Sequence, residues 1–153
     1  MSMNRVGPTS LIVALLLTVC LVEPASAQRE KKPKAIDVIA NDYAFLPLPA
    51  SISAGPTIFT FTNHGKVFHE VNIARLRSDA TMEEFTKADA PRRRELIERS
   101  VGILIGGPGA SPDGRIFVNL MKGSRYVAYC QFKDTPDAPA HLMLGMYTSF
   151  IPK

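Results

Sequence analysis

Three residues near the end of the chain carry soft or borderline metal-donor atoms. They lie in the stretch Tyr129-Cys-Gln-Phe-Lys-Asp-Thr-Pro-Asp-Ala-Pro-Ala-His-Leu-Met-Leu-Gly-Met146, where His141 follows Cys130 by eleven positions and Met146 follows His141 by five. A soft thiolate, a borderline imidazole and a weak thioether suit copper far better than calcium or magnesium. A second imidazole is missing from this stretch, and His69, within Phe68-His69-Glu70 on an upstream apolar run, can supply it. Each of these residues also has an ordinary use. A buried histidine is often a hydrogen-bonded core residue, a lone cysteine a small hydrophobe and a methionine a gap-filler. Met143 is an alternative thioether to Met146. Met82 and Met121 read as packing residues, and His64 as an exposed turn residue.

A chain of 153 residues is long enough for one domain with a real core but not for two. Residues 1–27 have the pattern of an export signal: Arg5 at the start, the uncharged run Leu11 to Val22, and Ala25-Ser26-Ala27 as a small-residue cleavage site. That run is too short for a comfortable permanent membrane span. Cleavage after Ala27 is expected, leaving a periplasmic or secreted protein with no permanent span. Cys20 leaves with the signal, and the bulky Val19 before it argues against lipid attachment there. Cys130 then stands alone in a compartment where cysteines normally pair, which marks it as a candidate reactive thiol. The formal charge of +4 is modest. No Gly-rich phosphate loop and no basic–aromatic interleaving is present, so nucleic acid is not an expected partner.

The elements that must position these donors are mostly strands. Residues 28–34 form a charged, Pro-containing lead-in, and the domain proper is expected over 35–153. In Ala35 to Phe45, Ile36 and Val38 alternate with Asp37, the pattern of a strand with one buried face. Ser51–Ala54 reads as a short extended piece, Thr57–Thr62 as a strand, and Asn63-His64-Gly65 as a turn before a strand over Val67–Leu76. On that strand Val67, His69, Val71 and Ile73 share one face. Thr81-Met-Glu-Glu84 has capping-box spacing, and Asp89 with Pro91 can open a second helix running through Ile97 and Glu98. Two short helices over about 81–100 are therefore expected as an insertion between strands, with Arg92-Arg93-Arg94 on a solvated face. Strands over Val101–Ile105, from Ile116 to an end at Lys122-Gly123, over Arg125–Cys130 and over Leu144–Ile151 follow. Seven or eight short strands with frequent turns argue for a Greek-key sandwich.

The leader, the Asn63-His64-Gly65 turn before His69, the strand Tyr126-Val-Ala-Tyr-Cys130 and the ending His141…Gly145-Met146 together resemble the cupredoxins, the plastocyanin-like or type 1 copper proteins. The resemblance covers about 35–153. It implies an all-β Greek-key sandwich or barrel with a small helical insertion and one copper ion. In such a site His69 is the first imidazole, Cys130 the thiolate, His141 the second imidazole and Met146 the axial ligand. It implies electron transfer to a redox partner protein rather than enzymatic catalysis, with His141 at the surface where electrons leave. The Cys130–His141 loop is longer than in plastocyanins or azurins. Glu70 stands where the family commonly has an asparagine tying the ligand loops together. Copper(I) binding for transport, and a cupredoxin-shaped module without a redox-active metal, are the competing readings. The three histidines leave no further pair for a second copper.

Overall fold

The computed structural model describes residues 32–153. The expected export signal at 1–27 lies outside them. Eight strands form two four-stranded sheets: β1 (Lys34–Asn41), β2 (Ala44–Phe45), β3 (Gly55–Asn63), β4 (His69–Leu76), β5 (Ile97–Gly106), β6 (Ile116–Leu120), β7 (Tyr126–Tyr129) and β8 (Tyr147–Phe150). One sheet has the order β2-β1-β3-β6, the other β5-β4-β7-β8. Only β1 and β3 run parallel among these pairs. This is the sandwich the strand pattern predicts.

Alternation explains the core. Ile36, Val38 and Ala40 of β1 and Phe59 and Phe61 of β3 face Val71 and Ile73 of β4 and Tyr126 and Ala128 of β7. Cys130 has the same parity as Tyr126 and Ala128, so a period of two aims its sulfur into this core. His69 has the parity of Val71 and Ile73 and is likewise fully buried.

All four residues of β7 are buried because its outer face is covered too. The cover is the helical insertion, α1 (Met82–Lys87) and α2 (Ala90–Leu96). Thr81 caps α1 as expected: its hydroxyl accepts from the Glu84 amide at 3.1 Å, and the Glu84 carboxylate accepts from the Thr81 amide at 2.9 Å. Asp89 caps α2 through the Arg92 amide at 2.9 Å. Phe85 and Leu96 then pack with Ala74, Leu76, Val127, Tyr129 and Leu142, and the Phe85 ring stands edge-on to Tyr129 at 5.1 Å.

Several boundaries differ from the sequence reading. Ile97 to Ser100 belong to β5, where Ile97 pairs with Leu76 and Ser100 with Ala74. A seven-residue helix gains too little from another turn to compete with a full ladder. Arg93 is not solvated: it is 6% exposed and donates to the carbonyls of Phe85 at 3.1 Å and Ala88 at 2.5 Å. These belong to the end of α1, whose last carbonyls have no partner within the helix. Met121 is exposed rather than packed. Ser51–Ala54 forms no strand, although Ile52 is buried and both Ile52 and Ala54 bond the backbone of Lys153.

Candidate metal centre

The loop ahead of His69 is held by Asn63. Its amide nitrogen donates to the carbonyls of Val67 at 2.8 Å, Gly106 at 2.9 Å and Gly107 at 3.0 Å, and its oxygen accepts from the Gly65 amide at 2.8 Å. Gly65 lies flat against the imidazole: a Cβ there would stand 2.8 Å from His69 Nε2. The other donors come from one folded loop after β7. The His141 amide donates to the Phe132 carbonyl at 2.8 Å, Leu142 to Cys130 at 2.8 Å, Cys130 to Met146 at 3.2 Å and Met146 to His141 at 3.0 Å. A 3-10 turn over His141–Leu144 ends at Gly145, whose φ of +103° is readily adopted by glycine alone. That reversal, in place of the expected start of the last strand, returns Met146 to the side of Cys130.

His69, Cys130 and His141, which the sequence places far apart, meet at one point. The Nδ1 atoms of His69 and His141 are 3.1 Å apart, and Cys130 Sγ is 3.4 Å from His141 Nδ1. All three donor atoms lie within 4.8 Å of one another. A small ion held at ~2.0–2.3 Å by nitrogen and sulfur separates its ligands by roughly 3.3–3.8 Å in a near-tetrahedral arrangement. The two edges at His141 Nδ1, 3.1 and 3.4 Å, are close to that. His69 Nε2 is buried without any hydrogen-bond partner. The donor set, its spacing and its burial therefore fit a soft metal ion, and copper among them. Met146 is fully buried beside this group. Met143 is 55% exposed and His64 is exposed.

No family model matches the sequence, and no curated protein matches it either. Solved structures do align with it. Dithionite-reduced auracyanin from the photosynthetic bacterium Roseiflexus castenholzii superposes over 78% of this chain and 97% of its own, with a TM-score of 0.54 and 18% identity. Auracyanin B superposes over 80% of this chain and 91% of its own, with a TM-score of 0.55 and 18% identity. The fold is a cupredoxin fold.

Within this cupredoxin fold the electrostatics favour neutral, dry donors. Burial pushes the Cys130 thiol up to about 11, against the pull of the Glu70 and Phe132 amides directed at its sulfur. Burial, and next the neighbouring His141, push the His69 imidazole below its usual value, which keeps its ring neutral. Glu70 does tie the ligand loops together. Its Oε1 accepts from the Gln131 amide at 2.9 Å and from Asn72 Nδ2 at 2.5 Å, while its own amide lies 3.4 Å from Cys130 Sγ.

His141, expected at the surface where electrons leave, does not itself reach that surface, being 1% exposed. Asp134 covers its outer edge, with Oδ1 3.1 Å from His141 Nε2. The Tyr43 hydroxyl donates to the other oxygen at 2.5 Å, and its ring stands edge-on to His141 at 5.0 Å and His69 at 6.2 Å. The Tyr43 hydrogen bond first, then that of His141, hold the Asp134 carboxyl below the usual carboxylate range. Asp134 and Tyr43 are not marked by any sequence motif, and Asn63 is marked there only as a turn residue. Only the proximity of Asp134 to Cys130 in the loop could have suggested one of them.

Proposed function

We propose that this chain is an exported carrier of single electrons, with one copper ion held by His69, Cys130 and His141 and a weak fourth bond from Met146. The observation that supports it most is the meeting of His69, Cys130 and His141, all buried, with one ligand atom of each within 4.8 Å of the others. Bound copper supplies one-electron chemistry by alternating between two oxidation states. The chain's own residues supply rigidity. Asn63 fixes the approach to His69, Glu70 fixes the backbone after Cys130, and Gly145 lets the loop close on itself. A site that cannot relax toward either oxidation state's preferred shape reorganises little on each exchange. One structural neighbour is described in a dithionite-reduced form, in keeping with a redox role for this fold. Among the described residues no helix is long and apolar enough to cross a membrane. The partner is a redox protein, and the chain makes and breaks no substrate bonds.

Copper(II) added to the purified mature protein should give an intense blue or green colour with an unusually small copper hyperfine splitting in electron paramagnetic resonance. Cys130→Ser should abolish the colour and Met82→Leu should leave it. A colourless protein rules the reading out.

A further inference from the structure

We infer that Asp134 and Tyr43 form a positioning brace that selects the tautomer of His141 and lends its imidazole negative charge. This deepens the metal-site reading above and rests on it in its second half.

Three observations meet here. Asp134 Oδ1 lies 3.1 Å from His141 Nε2 across a loop, and an ionised carboxylate can only accept, so the His141 proton must sit on Nε2. His141 Nδ1 is then a bare lone pair, and it is this atom that faces Cys130 Sγ at 3.4 Å and His69 Nδ1 at 3.1 Å. The second observation is that the carboxylate is itself held. The Tyr43 hydroxyl donates to Oδ2 at 2.5 Å from 91 positions away in the chain, so each oxygen has one partner and the rotation of the group is fixed. The third is a backbone conformation. Among the described residues Tyr43 is the one non-glycine residue with positive φ, at +58°. It occupies the two-residue turn between β1 and β2, where Asn41 pairs with Ala44. Glycine or asparagine takes such a position at less strain. A tyrosine kept in left-handed backbone is the kind of outlier that points to a role for its side chain. Here that side chain reaches Asp134 and stands edge-on to both imidazoles.

A carboxylate on the far nitrogen of a ligating histidine fixes ring orientation and raises ligand basicity, and losing such a partner commonly reduces metal affinity about 10–100-fold. Its charge also favours the more positive oxidation state, which lowers the midpoint potential. Asp134 and Tyr43 touch neither sulfur nor metal and act through His141.

The test uses the mature protein in two states. In the metal-free protein, nitrogen-15 shifts of the His141 ring should show a proton on Nε2 and none on Nδ1. Asp134→Ala should mix the two tautomers. Asp134→Asn keeps an acceptor, so it should preserve the tautomer while losing the charge, and Tyr43→Phe should shift the populations less than Asp134→Ala. In the copper-loaded protein, Asp134→Ala should bind about 10–100-fold more weakly, and Asp134→Asn should have a higher midpoint potential than wild type. A merely structural role would leave the potential of the Asn variant unmoved. Unmixed tautomers in a folded Asp134→Ala variant overturn the brace, whatever copper does; an unmoved potential in Asp134→Asn overturns the charge effect. The predicted ring tautomer in a protein that never colours with copper would sink the electron-carrier reading and leave the brace standing.

Discussion

The buried thiol of Cys130 makes the sharpest prediction, because its displacement acts on both stability and metal uptake. Burial moves it from 9.0 to about 11, a shift of about two units. In the unfolded chain the thiol ionises from about pH 9, while in the folded chain it stays protonated. The contribution is therefore complete below pH 9 and is lost as pH rises toward 11. Two units at about 1.4 kcal/mol each give a loss of about 3 kcal/mol across that interval. Urea unfolding of reduced, metal-free protein at stepped pH measures it, with Cys130→Ala removing the slope and leaving the other titrating groups in place. The difference between the two proteins should be flat below pH 8.5 and shrink by about 3 kcal/mol by pH 11. Thiolate absorbance in the folded protein should have its midpoint near 11. The same argument governs the proposed copper site, in which the thiolate form of Cys130 would be the ligand. Apparent affinity should rise about tenfold per pH unit between pH 7 and 9, with release of about one proton from this residue. A folded thiol that ionises at or below pH 9, or a wild-type to Cys130→Ala difference that does not change with pH, would refute the reasoning.

Other substitutions address the surroundings. Phe85→Ala removes a fully buried ring that supports Tyr129 and lies 5.7 Å beneath the Arg93 guanidinium; a loss of about 3–5 kcal/mol in denaturant unfolding is expected. Glu70→Ala leaves the Gln131 amide and Asn72 without their acceptor and should cost about 1–3 kcal/mol, whereas Glu70→Gln retains an acceptor and should lose less. Gly65→Ala would set a methyl 2.8 Å from His69 Nε2. It should destabilise by about 1–3 kcal/mol and weaken copper binding by turning the ring, both checked by denaturation and copper titration.

What could be read from the sequence was what local periodicity controls. Alternation along Val71 and Ile73 carries His69 inward, and alternation along Tyr126 and Ala128 carries Cys130 inward, so the convergence of two donors followed from parity once both strands were recognised. The Thr81–Glu84 capping box was legible for the same reason, since all its atoms lie within one helical turn. Arg93 was not, because its partners are carbonyls freed by the end of a neighbouring helix. The end of α2 at Leu96 was misplaced because pairing with β4 decides it, and that pairing is invisible locally. Asp134 and Tyr43 escaped because their contact joins a loop to a hairpin 91 positions away. No spacing rule encodes such a meeting.

His69, Cys130 and Met146 are 0% exposed and His141 is 1% exposed. No donor can therefore meet an incoming ion while the protein stays closed. The Tyr43 hydroxyl on Asp134, which joins the β1–β2 hairpin to the loop after Cys130, is one contact that closes the site from outside. The same packing would shield a captured ion from chelators and competing metals. Electrons need no such opening, since they can tunnel through the thin layer of side chains that ions cannot pass.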